Sequence, residues 1–322
     1  MDRMTVTLSQ RKRPIAFIKR FCQDCRDRGL TEETIGRYKS ALRLFHIFLE
    51  VRNLTVYEVD RYVLRDFIRY RRENGGKEGE GVKQKTLENN LSALSSFYEY
   101  LCFEQYIQSN PILPVRKRFL TRYKDGDDDP PRKLISVEEM AMLVNSILNA
   151  RDKALVLLLA KTGVRRGELI KMDVDDIDWS ENSITLKKFK KRSNRIVFFD
   201  DECARVLKRW IKTREQLSPK SEALFIGEQG GRLKRNGVYS LVCKHAAKVG
   251  LHNPDSCRSE DHFTPHCMRH WFTTWLRRNG MPREFIKELR GDKRREAVDT
   301  YDHIDKEELR RTYLACMPPL DI

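Results

Sequence analysis

Long apolar runs are missing from this 322-residue sequence. The best apolar segment, ALVLLLA at residues 154–160, is far shorter than the roughly 20 residues that a membrane-spanning helix needs. The first residues, MDRMTVTLSQRKRP, lack the apolar stretch of a secretory signal. These absences predict a cytoplasmic protein with no membrane partner.

A regular cysteine framework is also missing, because the eight cysteines are scattered along the chain. Without a secretory signal, this scatter predicts reduced thiols rather than disulfides. Cys22 and Cys25 form a lone CxxC inside an amphipathic segment. Two ordinary helix residues are the favoured interpretation there, ahead of a redox or zinc site.

Acidic residues are fewer than basic ones: the chain has 47 Asp and Glu and 63 Lys and Arg, which gives a net charge of +16. The hydrophobic fraction of 40% is typical of a globular protein and excludes a disordered chain. The excess of cations favours a polyanionic partner, most simply nucleic acid. A basic surface that serves only solubility is the alternative.

The pattern of apolar residues predicts two domains. TEETIGRYKSALRLFHIFLEV and QKTLENNLSALSSFYEYLCFEQ repeat apolar residues at helical spacing, so residues 1–111 are predicted to form a helical domain. Residues 112–132 contain prolines and the run DGDDD, which predict a linker. Residues 133–322 are predicted to form a second, mainly helical domain with one β-hairpin at 183–199.

Local signals predict several helix ends. Thr31 is an N-cap candidate with half of a capping box, and Ser136 with Glu139 makes a complete one. A buried helix is expected to stop at Gly163, and Gly280 is expected to stop a later one.

Two basic stretches of the second domain are candidates for binding phosphate. TGVRRGEL places Arg165 close to a predicted helix start, where a planar guanidinium and free backbone N–H groups suit an oxyanion. KKFKKRSNR, at residues 187–195, is a basic hairpin turn. Glu168 is expected to serve as a local partner for an arginine or a backbone N–H.

Histidine and tyrosine complete the set of candidates. TPHCMRH places His266 and Arg269 three residues apart on a predicted helix. RGDKRREAVDTYDHID places Tyr301 after a polar segment, whereas Tyr313 is expected on the buried side of a tail helix. Zinc is a weaker alternative, because no second compact pair of ligands accompanies His266 and His270.

These pieces, in this order, resemble the tyrosine recombinase (phage integrase) family. LTEETIGRYKSALRLF, TLENNLSALSSFYEYL and SNPI resemble its helical core-binding domain, and RGD…DTYDHID resembles archaeal and archaeal-virus integrases. The resemblance implies a mainly α fold with a small antiparallel β-sheet. It also implies a two-domain DNA clamp, in which a helical core-binding domain is joined to an α+β catalytic domain.

The family resemblance further implies partners and cofactors. Double-stranded DNA is the expected substrate, bound by a homotetramer on two DNA sites. By the same resemblance, neither a cofactor nor a metal ion is expected. No ATP is needed, because the covalent protein–DNA bond conserves the energy of the phosphodiester.

The resemblance assigns five catalytic residues: Arg165, Lys190, His266, Arg269 and Tyr301. Tyr301 would attack the phosphate, the two arginines would neutralise its charge, and Lys190 would protonate the leaving 5′-oxygen. His266 would hydrogen-bond the phosphate and assist proton transfer from Tyr301. Lys188 and Lys191 remain alternatives for the lysine.

Asp292 departs from the family pattern, which commonly has a second histidine at this position. An ionised carboxylate cannot donate a hydrogen bond to phosphate and repels it. Three interpretations stay open: Asp292 is protonated, it orients Arg165 or His266, or Lys293 supplies the missing donor.

The leading functional hypothesis is a site-specific DNA recombinase. A non-catalytic DNA-binding protein of the same fold is the main alternative, and a type IB topoisomerase-like enzyme is the third. The five assigned catalytic residues together favour an enzyme, because DNA binding alone needs no such set.

Overall fold

The chain forms two compact units, Met1–Asp127 and Asp128–Ile322, each with its own hydrophobic core, in a computed structural model. None of the helices in the described part of the chain is long and apolar enough to cross a membrane. The structure describes residues 14–75, 81–120, 134–187, 195–256, 258–292 and 304–322.

The first unit is helical over the ranges that the structure describes. Amphipathic faces hold it together: α2 packs on both α1 and α4, and Phe45 meets Phe67 edge to face with ring centroids 4.9 Å apart. The Thr31 side chain accepts from the backbone N–H of Thr34, which confirms the predicted half capping box. Its helices are α1 Pro14–Asp27, α2 Glu32–Glu50, α3 Arg61–Asn74, α4 Gln84–Phe103 and α5 Ile112–Phe119.

Helix α5 occupies the start of the segment that the sequence predicted to be a linker. Ile112 and Val115 are buried in the core of the first unit. The Asn110 side chain accepts from the N–H of Ile112 at 3.0 Å and donates to the Ser95 carbonyl at 2.9 Å. Together with the partly buried Phe119 and Leu120, these two residues pack the segment against the core. Residues 112–119 are therefore a helix of the first unit, although the sequence analysis assigned them to a linker.

The second unit is mainly helical with a three-stranded antiparallel sheet in the order β1-β2-β3. Ile184 faces Val197 across β2 and β3, which confirms the predicted hairpin strands. The helices are α6 Val137–Asn145, α7 Ala150–Thr162, α8 Arg166–Leu169, α9 Asp201–Gln216, α10 Arg235–Lys248, α11 Pro265–Arg278, α12 Arg283–Arg290 and α13 Lys306–Cys316. The strands are β1 Ile177–Asp178, β2 Ser183–Leu186 and β3 Arg195–Phe198, and two short 3-10 helices cover Val174–Asp176 and Ser259–Asp261.

Helix α7 is the central helix of this unit, because α9 and α11 pack against it and its residues from Ala154 to Thr162 are all buried. It ends at Gly163 in the left-handed conformation, with φ 59°, as the sequence predicted. A Cβ at this position would overlap the ring of Phe272. Glycine is therefore required here, and the turn that it makes leads directly to Arg165.

Helix α13 and the residues that follow it are bound to the end of α7. Tyr313 is fully buried, and its hydroxyl donates to the Lys161 carbonyl at 2.8 Å. The buried Lys161 ammonium binds Asp200, Glu202 and the Pro318 carbonyl. The structural role predicted for Tyr313 is confirmed, whereas nothing in the apolar sequence around Lys161 indicated its ionic contacts.

Candidate active site

Two arginines from different elements meet at the C-terminal end of α12. Arg165 precedes α8, and its Nη1 donates to the Arg290 carbonyl at 2.9 Å. Arg269, from α11, donates through Nη2 to the same carbonyl at 2.8 Å. The two guanidinium groups that the sequence marked for phosphate therefore lie within hydrogen-bond reach of one oxygen atom.

Asp292 lies directly against both arginines. Its Oδ1 accepts from Arg165 Nη2 at 3.1 Å and from Arg269 Nη2 at 3.3 Å. Its Oδ2 lies 3.0 Å from Arg290 Nε, which adds a third cation. Contact with Arg165 was one of the three interpretations left open, while the pairing with Arg269 and Arg290 was not anticipated.

Arg269 is buried, with only 3% of the residue exposed, and its Nη1 donates to the Gly163 carbonyl at 2.6 Å. Burial, followed by the charges of Arg165 and Arg290, lowers the pKa of Arg269 to about 9, while Asp292 acts in the opposite direction. The guanidinium still carries its charge at neutral pH. Because Arg165 and Arg290 place two further positive charges next to this guanidinium, an added anion at the site would be stabilised.

A buried ion pair between Arg195 and Glu168 holds the backbone around Arg165 in place. Arg195, at the start of β3, donates to both carboxylate oxygens of Glu168, at 3.0 and 2.8 Å. Glu168 also accepts from the backbone N–H of Arg165 at 2.8 Å, so it meets both expectations for a local partner. The Arg195 Nε donates to the Leu289 carbonyl at 3.1 Å, and a Cβ at Gly291 would collide with this guanidinium.

Glu168 keeps its charge despite its burial. Burial by itself raises the pKa of this carboxyl, but the hydrogen bonds and charge of Arg195, with the N–H of Arg165, outweigh it and leave the pKa lowered. Glu168 thus joins the turn before α8, strand β3 and the end of α12 through charge-assisted hydrogen bonds.

Removing this carboxylate should destabilise the second unit in a pH-dependent way. Glu168→Gln should lower the free energy of unfolding by about 3–5 kcal/mol at pH 7, since it leaves Arg195 buried without its counterion. Because the folded pKa of Glu168 is below its ordinary value near 4.5, its stabilisation is present above that value and is lost as the pH falls through the folded pKa.

Urea unfolding at a series of pH values measures the effect. The control is Glu181→Gln, which removes an exposed carboxylate paired with Arg310 and should change stability by less than about 1 kcal/mol. A difference between wild type and Glu168→Gln that stays constant from pH 7 to pH 3 would contradict the assignment of charge to Glu168.

His266 lies in the first turn of α11 and is exposed, whereas Arg269 one turn later points into the protein. The rings of His266 and His270 meet edge to face with centroids 4.5 Å apart. Cys267 is buried between them and donates to the His262 carbonyl at 3.5 Å. Over the described ranges, which omit Cys257, no group of three metal-ligating side chains could hold an ion.

Three of the predicted site residues, Lys190, Lys293 and Tyr301, lie outside the described residues, as do the alternatives Lys188 and Lys191. The hairpin base is described: Lys187 binds Asp173 and lies 3.4 Å from Asp176.

The described part of the site can bind a single oxyanion. Two forked guanidinium groups converge from α11 and from the turn before α8, and Arg290 adds a third cation beside them. Sequence reasoning missed Arg290, whose one available signal was its position two residues before Asp292.

Comparison with known proteins matches both halves of the chain. The profile of the phage integrase family matches residues 134–308, and that of the phage integrase N-terminal SAM-like domain matches residues 18–105. Tyrosine recombinase XerD of Staphylococcus saprophyticus is 27% identical over 296 residues, which cover 89% of this chain and 93% of that protein. Tyrosine recombinase XerC of Bacillus subtilis is 26% identical over 313 residues, covering 94% and 96%.

Solved structures share the fold. The XerH site-specific recombinase, in a post-cleavage complex with a palindromic difH substrate, matches with a TM-score of 0.67 at 20% identity, covering 95% of this chain and 84% of that chain. Lambda integrase, as a dimer bound to a core site, matches with a TM-score of 0.64 at 17% identity, covering 91% and 99%. With one profile matching more than half of its length and the fold in agreement, this chain belongs to the phage integrase family.

Proposed function

We propose that this protein is a site-specific tyrosine recombinase that cuts and rejoins double-stranded DNA. The observation that carries the proposal is the convergence of Arg165 and Arg269 on one carbonyl oxygen, in a chain of the phage integrase family. Relatives that align along nearly the whole chain are named tyrosine recombinases. A structural neighbour was solved with cleaved substrate DNA.

Strand cleavage would proceed by exchange of one phosphorus–oxygen bond for another. The Tyr301 oxygen attacks the scissile phosphorus, and the bond from phosphorus to the 5′-oxygen breaks. The product is a 3′-phosphotyrosyl link and a free 5′-hydroxyl, and attack by a 5′-hydroxyl of another strand reverses the step. The number of phosphoester bonds is unchanged, so no external energy source is needed.

The two arginines would act on the charge of the pentavalent transition state. Each guanidinium is already oriented by backbone carbonyls, Arg269 by Gly163 and both by Arg290. A preorganised donor stabilises developing charge without a cost of reorientation at the moment of reaction. Arg195 and Glu168 would act as positioning residues, because they hold the surrounding elements together.

Protons would move through the lysine and the histidine. Lys190 would protonate the departing 5′-oxygen, with Lys188 and Lys191 as alternatives in the same turn, and His266 would bind the phosphate and assist the tyrosine. His266 lies exposed on the first turn of α11, the helix that also carries Arg269.

The two units would have different roles in the reaction on DNA. We assign DNA binding to the helical core-binding domain, residues 1–111 together with α5, and chemistry to residues 133–322. The two would close on the duplex as a clamp. Exchange of four strands would require a homotetramer on two DNA sites, and the cytoplasm is the expected location.

A plasmid assay separates this proposal from the two alternatives. The binding site is first selected from a random DNA library by binding to the protein and is then mapped by footprinting. Supercoiled plasmids with no site, one site or two sites are next incubated with the protein in the presence of EDTA. A recombinase makes smaller or rearranged circles only from the two-site plasmid. Relaxation of the plasmid without a site would identify a topoisomerase-like enzyme, and binding without any broken strand would identify a non-catalytic protein.

A further inference from the structure

The carboxylate of Asp292 occupies the part of the site where an oxyanion would bind. A single atom, Oδ1, accepts from Arg165 Nη2 at 3.1 Å and from Arg269 Nη2 at 3.3 Å. A non-bridging phosphate oxygen makes the same kind of contact with a pair of guanidinium groups. In the DNA-free protein, Asp292 therefore makes the hydrogen bonds that the proposed substrate needs.

The backbone turn at the end of α12 fixes the position of Asp292. Gly291 ends α12 in the left-handed conformation with φ 58°, and its N–H donates to the Glu288 carbonyl at 2.9 Å. The N–H of Asp292 donates to the Lys287 carbonyl at 3.0 Å. The turn thus holds the Asp292 backbone beside the arginines, while 31% of its side chain remains exposed.

The donors of Arg269 leave little room for a second acceptor. Both protons of its Nη2 are engaged, one by the Arg290 carbonyl at 2.8 Å and one by Asp292. Only 4% of the Arg269 side chain is exposed. The Arg290 carbonyl belongs to the helix end and cannot move away alone, so an incoming oxyanion can gain a bond from this nitrogen by replacing Asp292.

We infer that Asp292 is an exchangeable counterion of the Arg165–Arg269 pair, which it holds in position in the free protein and releases to the scissile phosphate. The inference rests on the proposed function, because it takes the phosphodiester as the competing anion. Asp292 is then a positioning residue for the arginines, and it replaces neither the nucleophile nor a proton donor.

Arg290 provides the place to which the displaced carboxylate goes. Its Nε lies 3.0 Å from Asp292 Oδ2, whereas the two arginines contact Oδ1, and 31% of the Arg290 side chain is exposed. A rotation of the Asp292 side chain can therefore break the contacts of Oδ1 while the pairing with Arg290 persists. The displaced carboxylate never needs to lie unpaired next to the phosphate.

The charge of the cluster also favours exchange. Three guanidinium groups, Arg165, Arg269 and Arg290, face the one carboxylate of Asp292. Glu168 offsets part of this excess, since its Oε1 lies 3.3 Å from Arg165 Nη1, but it is shared with a fourth guanidinium group, that of Arg195. Four guanidinium groups therefore meet two carboxylates. Burial is the main cause of the lowered pKa of Arg269, and the charges of Arg165 and Arg290 lower it further. The remaining excess of positive charge allows the cluster to accept the single negative charge of a phosphodiester.

Inorganic phosphate, titrated calorimetrically into the DNA-free protein, tests the exchange. Asp292→Asn removes the competing charge at constant shape, and the dissociation constant for phosphate should fall by roughly tenfold or more. Asp292→Ser should behave alike and serves as the second variant if the first does not fold. Glu181→Gln, which removes a carboxylate from the exposed pair with Arg310, should leave phosphate binding unchanged.

A gain of less than threefold in phosphate affinity in both folded variants would overturn the inference. Loss of phosphate binding in both would also overturn it, because Asp292 would then be a permanent support for the arginines. Circular dichroism and the melting temperature establish that each variant is folded.

A DNA measurement keeps this inference separate from the proposed function. Inorganic phosphate should inhibit formation of the covalent adduct on a nicked suicide substrate. The phosphate concentration that gives half inhibition should be roughly tenfold lower for Asp292→Asn than for wild type. Equal inhibition of the two proteins would contradict the exchange. If wild type forms no adduct at all, the recombinase proposal fails, whereas the titration with phosphate alone still decides whether Asp292 competes with an oxyanion.

Discussion

Replacing Tyr301 by phenylalanine should abolish the covalent protein–DNA adduct and leave DNA affinity within about twofold of wild type. The substitution removes only the oxygen that forms the new bond to phosphorus, while the contacts that bind the DNA backbone remain. A suicide substrate traps the adduct of the wild-type protein, and a denaturing gel then measures the fraction of DNA that is bound covalently.

Tyr313→Phe is the matched control, since Tyr313 lies in the same C-terminal segment. Its hydroxyl is buried and donates to the Lys161 carbonyl, and burial raises its pKa well above the ordinary value. This variant should lose about 0.5–1.5 kcal/mol of stability and still form the adduct. An adduct that persists in Tyr301→Phe and disappears in Tyr313→Phe would move the nucleophile to Tyr313.

Arg165→Lys and Arg269→Lys should each slow cleavage by roughly 10²–10³ while DNA affinity changes only a few-fold. Lysine keeps the positive charge but cannot reproduce the planar fork. Arg269 uses its fork to contact the Gly163 carbonyl, the Arg290 carbonyl and Asp292 at once. Single-turnover cleavage rates and gel-shift affinities, measured on the same DNA, separate the two effects.

Arg166→Ala controls for the loss of a neighbouring cation. Arg166 lies over the ring of Tyr239, with 5.6 Å from its guanidinium carbon to the ring centroid, and donates to the Arg235 carbonyl. Its cleavage rate should stay within a few-fold of wild type. Because Arg269 is buried, its variant is compared only at temperatures well below its own melting point. A rate for Arg269→Lys that matches Arg166→Ala would remove Arg269 from the catalytic set.

The parts of the fold that the sequence predicted depend on short-range interactions. Ser136 and Glu139 form the predicted reciprocal capping box, and α7 ends at Gly163. A cap joins residues three or four apart, and a left-handed turn depends on one residue, so the local sequence contains all the information that is needed. Helix α5 was missed because its two core residues are surrounded by prolines and charges.

In the candidate site, too, the sequence indicated individual residues but not the contacts between distant ones. Arg165, Arg269 and Tyr301 could be chosen from the sequence because the resemblance spans four ordered motifs. Of the contacts of Asp292, only the one with Arg165 was among the open alternatives. The contacts with Arg269 and Arg290 could not be predicted, because nothing in the local sequence brings these side chains together. Lys161 was missed because its counterions, Asp200 and Glu202, lie about forty positions away in the sequence.

By itself, the sequence determined the helical class, the hairpin strands and the basic character, since periodicity, capping chemistry and side-chain type are local properties. The choice of two arginines came from the family resemblance, which is also read from the sequence alone. Only the tertiary structure decided that both arginines share the Arg290 carbonyl and that Asp292 accepts hydrogen bonds from both of them. It also decided that Glu168 is matched to Arg195. These contacts join elements distant in the chain, and they form because a buried charge is stable only where packing brings a partner to it.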